Sequence, residues 1–250
     1  MSKHQTNHSF NTIFFHSAEH MEEVATDSVQ LAISFPPFSH DPLAKRLNKQ
    51  ALLSMLQHVH EEVFRVLSSD GLLVSVNTDV RDRREYNDKY SARSGSVWWK
   101  HQSIREMCEK IGFRCVGTKI WVRTLKQNLY RFTYSHIVFY AKARRSLSFR
   151  KKKLAPDFRP DVWFLEGQTA YRLQDGTLFR DCLHPILAER CIRQLSEPRD
   201  LVLVPFAGVG TVPDVARRLG RKWIGYEVSE SLKLTLRARL GRAAIREPEY

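Results

Sequence analysis

Cysteine is scarce in this chain of 250 residues: four, at positions 108, 115, 182 and 191, none of them in a Cys-x-x-Cys pair. That spacing excludes a cysteine-based zinc ribbon and a disulfide framework, and it predicts reduced, mostly buried thiols. Long apolar runs are missing too, so no transmembrane helix is expected. The polar start Met1-Ser-Lys-His-Gln-Thr-Asn-His8 has no signal-peptide core, and a cytoplasmic protein is expected, nucleoid-associated in a bacterial host. Internal repeats and low-complexity tracts are absent. Negative charge is in deficit: 27 acidic residues face 40 lysines and arginines, a net charge of +13. Such an excess favours polyanions, nucleic acid first, although acidic membranes and ribosomal neighbours attract it as well.

What is present is a globular composition, 42% hydrophobic and 27% charged, long enough for one large domain with a full core. The chain is organised around residues 199–228. Leu201 to Val204 reads as a buried strand, followed by Pro205-Phe206-Ala207 and a turn built on Gly208 and Gly210. Thr211 leads into a short amphipathic helix over 212–219, Gly220 stops it, and Trp223 to Tyr226 is a second strand closed by Glu227. Strand, glycine turn, helix, strand, acid is a Rossmann-type half, in which the acid can accept both ribose hydroxyls of an adenosine ligand.

Taken in order, Thr12 to Phe15 predicts a short strand, His16 to Glu23 a brief helix, and Val29 to Ser34 a buried strand. Phe35-Pro36-Pro37-Phe38 ends that strand, because consecutive prolines continue neither strand nor helix. Asp41 to Leu67 carries helical spacing, Asp70-Gly71 predicts a turn, and Leu72 to Val76 a strand. Residues 78–97 are charged and aperiodic and predict a mobile loop. A helix is expected over 103–111 with Gly112 as its stop, then paired strands over 113–122 and 128–141. This alternation predicts an α/β fold with a mostly parallel sheet and helices on both faces. The densest basic run includes Lys142, Arg144, Arg145, Arg150, Lys151, Lys152 and Lys153. It reads either as a solvated linker or as a segment that tracks phosphates. Short strands or an irregular insert follow at 161–165 and 170–173, and His184-Pro185 opens a further helix.

Two of these stretches resemble one family. Val29-Gln-Leu-Ala-Ile-Ser-Phe-Pro-Pro-Phe38 is similar to the catalytic motif of amino-methylating DNA methyltransferases, a strand followed by Asp, Asn or Ser, then Pro-Pro and an aromatic. Val204-Pro-Phe-Ala-Gly-Val-Gly-Thr211 resembles their S-adenosylmethionine motif. The catalytic motif comes first, the order of the permuted β class. The resemblance runs from about Asn11 to Ser231 and implies a Rossmann-like methyltransferase fold with circularly permuted motifs. It implies a catalytic half over 1–142, a basic DNA-recognition insert over 143–182, and a cofactor-binding half over 183–250.

By that resemblance the catalytic residues are Ser34, Phe35, Pro36, Pro37 and Phe38. S-adenosylmethionine would be held by His184, Pro185, Pro205, Phe206, Ala207, Gly208, Gly210, Thr211 and Glu227. DNA would meet Arg144, Arg145, Arg150 and Lys151 to Lys153. The substrate implied is double-stranded DNA with a base flipped out, methylated on the exocyclic amine of cytosine (N4) or adenine (N6). Neither a metal nor a membrane is implied. A homodimer and a partner methyltransferase subunit both remain open.

Such an amine is conjugated with its ring and is a poor nucleophile, so its N–H bonds must be held while the nitrogen lone pair meets the methyl in line. A carbonyl near Pro36 is expected to accept an N–H, and Phe38 to stack on the base. The chain departs from the pattern at Phe35, where Asp, Asn or Ser is usual, and at Val204, where Asp is usual. Phenylalanine accepts no hydrogen bond, and Ser34 points to the opposite face of its strand unless the strand end bulges. Besides the enzyme, two readings therefore stay open: a catalytically deficient protein that binds DNA or a partner subunit, and an RNA methyltransferase. Trp98 and Trp99 are expected at a helix edge packed in the core, with DNA contact as the alternative. His101, His136 and His184 are expected to be structural rather than general bases, since a released amine proton can leave to solvent.

Overall fold

The computed structural model describes residues 10–37, 47–81, 97–125, 132–142, 154–167, 169–180 and 182–246. From the amino terminus, β1 (Thr12–Phe14) and β2 (Val29–Ser34) are joined by turns rather than by the helix expected over 16–23. Helix α1 spans Lys49–Val66, with the Asn48 side chain accepting the Ala51 N–H at 2.8 Å as its N-cap. The expected helix began at Asp41; residues 38–46 lie outside the described ones. It also ended at Leu67, but Leu67 opens β3 (Leu67–Asn77). The turn expected at Asp70-Gly71 is a jog inside that strand. Val29 pairs with Leu67, and Leu31 already pairs with Leu72.

The short strands β4 (Val80–Arg81) and β5 (Val97–Trp98) pair antiparallel, so the two ends of the loop expected over 78–97 are strands, and residues 82–96 of it lie outside the described ones. Helix α2 (Lys100–Ile111) starts three residues earlier than its periodicity indicated and stops at Gly112, whose φ of 118° is a left-handed C-cap. Next come β6 (Arg114–Val122), β7 (Tyr134–Ala141), β8 (Val162–Phe164) and a small hairpin of β9 (Ala170–Arg172) with β10 (Leu178–Arg180). Helix α3 (Pro185–Leu195) precedes β11 (Leu201–Val204), α4 (Thr211–Arg218) and β12 (Lys222–Tyr226). Helix α5 (Lys233–Leu240) and β13 (Ile245–Arg246) close the described chain.

One nine-stranded sheet runs in the order β13-β1-β12-β11-β2-β3-β7-β6-β8. Within it only the β3–β7 and β7–β6 pairs are antiparallel. Its strands come from both motif halves of the chain, and β1 sits beside β12 rather than beside β2. Each face carries its own apolar layer. Leu56, Val59 and Val63 of α1 and Ile104 and Cys108 of α2 cover one face. Leu187 and Ile192 of α3, Val212 and Val215 of α4 and Leu236 of α5 cover the other. The α/β fold with helices on both faces is thus present. The cysteines behave as their spacing implied: no two are bridged, three are buried, and burial pushes the Cys191 thiol up to about 12. No helix among the described residues is long and apolar enough to cross a membrane.

The strand order places the site. From β11 the chain proceeds through α4 to β12 on one side; from β2 it proceeds through α1 to β3 on the other. The direction reverses between β2 and β11, which are adjacent and parallel, with Val202 opposite Leu31 and Leu203 opposite Ala32. A crevice opens at the carboxyl ends of such a pair.

A buried guanidinium locks this arrangement from behind. Arg221, 9% exposed, donates to the Ser196 carbonyl at 2.7 Å, the Leu219 carbonyl at 2.7 Å and Ser196 Oγ at 3.1 Å. It ties the end of α3 to the start of β12, and burial pulls its pKa below the usual arginine value. Arg221→Met keeps the stem and removes the donors, leaving carbonyls unsatisfied. It is expected to destabilise the fold by about 2–4 kcal/mol, read as a lower urea midpoint at unchanged m-value. An unchanged midpoint would show that water replaces the guanidinium without cost.

Candidate active site

On the β11 side, backbone geometry builds the loop. The Ala207 N–H donates to the Tyr226 carbonyl at 2.8 Å, and the Gly210 N–H returns to the Ala207 carbonyl at 2.9 Å. Gly208 and Gly210 have φ of 54° and 78°, a region costly for residues with a Cβ. A Cβ on Gly208 would meet nothing within 4 Å, so that position faces open space, whereas one on Gly210 would lie 2.9 Å from Leu236 Cδ2. Arg239, reaching from α5, donates to the Val209 carbonyl at 3.0 Å and fixes the loop from below.

Glu227 stands at the end of β12 with Oε2 accepting the Gly208 N–H at 2.8 Å. Its Oε1 accepts the N–H groups of Val228 at 2.9 Å and Ser229 at 2.8 Å. The carboxylate is thereby aimed at the glycine turn. Pro205 and Thr211 are buried, Phe206 is half-buried, and Val204 is 1% exposed in the core. Valine at 204 is explained by that apolar packing, which an unpaired carboxylate would not tolerate.

On the β2 side, Ser34 and Phe35 point to opposite faces, as strand alternation requires. Ser34 is fully buried, paired in register with Ser75, and its Oγ has no hydrogen-bond partner among the described residues. Phe35 is half-buried, its ring 6.5 Å from that of Trp121, which in turn lies 6.4 Å from the His184 ring. A row of rings thus joins the end of β2 to the His184-Pro185 segment. His184 is the N-cap of α3, its Nδ1 accepting the Ile186 N–H at 3.2 Å, with Pro185 in the first turn. Burial lowers its pKa. A neutral, helix-capping histidine is the structural role expected of it.

Pro36 is buried and Pro37 half-buried; Phe38 lies outside the described residues. The carbonyl of Pro37 accepts a hydrogen bond from Lys100 Nζ at 2.8 Å, although Lys100 is only 1% exposed. A buried ammonium demands partners, so this contact anchors the proline loop to α2. Nothing in the sequence marked Lys100: a lysine in the first turn of a helix ordinarily projects into water.

The second group missed by sequence reasoning is Asp79. Its buried carboxylate receives His101 Nδ1 at 2.7 and 2.8 Å and the His101 N–H at 3.1 Å, with His136 Nε2 3.3 Å away. Burial pushes the carboxyl upward, but the imidazole contacts and the backbone N–H outweigh it and leave its pKa below the ordinary value.

The basic residues Arg144, Arg145, Arg150, Lys151, Lys152 and Lys153 lie outside the described residues. Lys142, at the start of that run, turns inward to the carbonyls of Leu67 at 2.7 Å and Arg65 at 3.2 Å, so it clamps the α1–β3 junction. Trp98 is half-buried, its Nε1 donating to Ser103 Oγ at 3.0 Å. Trp99 is 48% exposed and belongs to the surface, contrary to the core position expected for it.

The glycine turn yields a stability test. Gly210→Ala combines a left-handed φ with a 2.9 Å clash against Leu236, and a loss of about 1–3 kcal/mol is expected in urea denaturation. Wild-type stability in that variant would mean that the loop relaxes freely.

Comparison with known proteins places this geometry in context. A DNA methylase family, that of the N6/N4 methyltransferases, matches residues 29–236. The type II methyltransferase M.MjaI of Methanocaldococcus jannaschii is 26% identical, the match covering 94% of this chain and 92% of that protein. The DNA adenine methyltransferase YhdJ of Escherichia coli is also 26% identical, over 87% of this chain and 78% of its own. Among solved structures, a DNA modification methylase of Thermus thermophilus complexed with S-adenosyl-L-methionine superposes with a TM-score of 0.72. It is 25% identical and covers 94% of this chain and 97% of its own. The cytosine-N4-specific PvuII DNA methyltransferase shares the fold, with a TM-score of 0.67 at 17% identity over 91% of this chain and 85% of its own.

Proposed function

The chain belongs to the N6/N4 DNA methylase family, and from that premise we propose that it methylates the exocyclic amine of a flipped-out cytosine or adenine in double-stranded DNA. S-adenosylmethionine is the cofactor of such enzymes, and the site fits it on two observations: the open space facing Gly208 and the carboxylate of Glu227 directed at the same turn. When bound, it supplies a methyl group made electrophilic by a sulfonium.

The observation that carries the proposal is the adjacency of β2 and β11, which opens the Pro36-Pro37 loop and the glycine turn on the same edge of the sheet. In this reading Glu227 accepts ribose hydroxyls, and Pro205 to Thr211 with His184 and Pro185 line the cofactor side. The Pro36 carbonyl accepts an amine N–H, orienting the nitrogen lone pair towards the methyl group. Phe38 stacks on the base, and Ser34, Phe35 and Pro37 shape the strand end. No general base is required, because the proton released by the methylated amine passes to water. Lys100 holds the Pro37 carbonyl and so keeps the adjacent Pro36 carbonyl in place.

The net charge of +13 supports a polyanionic substrate. The run from Arg144 to Lys153, within the insert over 143–182, is proposed to follow the phosphates. We place the work in the cytoplasm, on the nucleoid if the host is bacterial, where the substrate is. A second copy or a partner methyltransferase subunit is the protein partner this reading admits.

One observation favours the non-catalytic alternative: Phe35 packs against Trp121, and Ser34 is turned away, so neither supplies the usual side-chain acceptor. Calorimetric titration with S-adenosylmethionine followed by transfer of tritiated methyl to mixed-sequence duplex DNA separates the two. Micromolar binding, weakened at least tenfold in Glu227→Ala, together with label in DNA is expected. Binding without label in either DNA or RNA would leave a DNA-binding relative without turnover, and label in RNA alone would change the substrate class.

Lys100→Met tests the loop. Loss of a charge-assisted hydrogen bond of about 1.5–3 kcal/mol predicts a fall in kcat on the order of one to two decades, with cofactor affinity little changed. An unaltered kcat would show that the Pro37 carbonyl needs no such support.

A further inference from the structure

The groups around Asp79 are not used by the chemistry above. Asp79 follows β3, His101 lies in the first turn of α2, and His136 is on β7 opposite Asn77. The Asp79 side chain is wholly buried, while those of His101 and His136 are 26% and 18% exposed. One nitrogen of each imidazole and one carboxylate oxygen all lie within 4.8 Å of one another.

Three features distinguish this cluster from an ordinary histidine–aspartate contact. The two rings stack face to face, with centroids 3.7 Å apart and planes 17° apart, so both present an edge to the same carboxylate. His136 Nε2 is buried and has no hydrogen-bond partner among the described residues, although Asp79 Oδ2 is only 3.3 Å away. That nitrogen is held by the carboxylate's charge but not by a well-aligned hydrogen bond, so its pairing is incomplete. Finally, Asp79 Oδ2 lies 2.8 Å from His101 Nδ1 and 3.3 Å from His136 Nε2, against an edge of about 3.3–3.4 Å for a tetrahedron with Zn–N and Zn–O bonds of about 2.0–2.1 Å, so a small opening at His101 would admit the ion.

We propose that Asp79, His101 and His136 form a binding site for a zinc-like divalent transition cation. Two imidazoles and one carboxylate suit such an ion, whereas magnesium and calcium take oxygen ligands. The ion would displace the proton of the His101 Nδ1 contact with Asp79, and His136 would ligate through Nε2 with its own proton on Nδ1. Three protein ligands leave a fourth position for water.

Its place in the fold indicates a purpose. Asp79 and His101 flank the β4–β5 ladder in sequence. His101 adjoins Lys100, which holds the Pro37 carbonyl. A cation there would pin the β4–β5 ladder to β7 and fix the start of α2, and with it the lysine that supports the proline loop.

The test uses the full-length protein, stripped with a chelator and titrated with Zn2+, with Co2+ as the spectroscopic probe. About one equivalent of zinc at micromolar or tighter Kd is expected, with an upward shift in Tm. Cobalt should give the visible absorption of a four-coordinate nitrogen and oxygen site. In His136→Gln, and separately in His101→Ala, zinc affinity should fall at least tenfold and the cobalt absorption should disappear, each variant being checked for native circular dichroism. Substoichiometric zinc with no cobalt absorption in the wild type would overturn the proposal, whatever the variants do. Undiminished binding in both variants would overturn it as well, because the metal would then sit on other histidines. Equal binding of Mg2+ would refute the ligand assignment.

Discussion

The parallel contact between β2 and β11 is the constraint on which the molecule depends. Leu31 opposite Val202 and Ala32 opposite Leu203 set the two strands at the same height. The chain that leaves β2 at Phe35 and the chain that leaves β11 at Pro205 therefore emerge side by side. A slip of one residue would turn Ile33 and Phe35 away from the apolar layer they share with Trp121 and Val204 and bring Ser34 into it. Register and site geometry are one requirement. The same adjacency brings loops some 170 residues apart in sequence to one edge of the sheet.

Around that contact the two faces of the sheet differ in character at the carboxyl edge. On the α3 face, Phe35, Trp121 and His184 form a row of rings continuous with the core. On the α1 and α2 face, Ser34, Ser75, Asn77 and Lys100 are buried polar residues, with the half-buried His136 beside them. Hydrogen bonds in such a setting are worth more than in water, and unpaired atoms there cost correspondingly more. Ser34 Oγ and Asn77 Oδ1, like His136 Nε2, lack partners among the described residues. Replacement of a polar residue by phenylalanine at 35 belongs to the apolar side of this division, and Lys100 belongs to the polar side. The proline loop is thereby held from one side by packing and from the other by a charge.

The departures from regular expectation have local causes. The segment 16–23 has helical composition but is pinned by side-chain contacts. His16 Nε2 lies 2.7 Å from Glu23 Oε1, and the Met21 N–H donates to Glu62 Oε2 at 2.9 Å, so tertiary partners take the bonds a helix would need. Leu67 continues the apolar spacing of α1 yet is the first residue of β3, because its pairing with Val29 competes successfully with one more helical turn. Lys142 looked like the first member of a basic run. Its ammonium is instead consumed by the carbonyls of Arg65 and Leu67.

By itself the sequence determined the α/β class, the two motif loops, the glycine turn and the acid at 227, because each is a local pattern written within about thirty residues. It also showed that Phe35 and Val204 depart from the polar residues usual in the motif, while their apolar packing emerged only in the structure. Only the tertiary structure decided that Lys100 supports the proline loop, that Trp99 faces solvent, and that Asp79, His101 and His136 converge. Those three lie after β3, in the first turn of α2 and on β7, and no periodicity connects them. Their proximity is created by the β3–β7 register, in which Asn77 faces His136, and by the packing of α2 against α1. Long-range register is an outcome of the whole sheet closing at once, and a one-dimensional reading has no term for it.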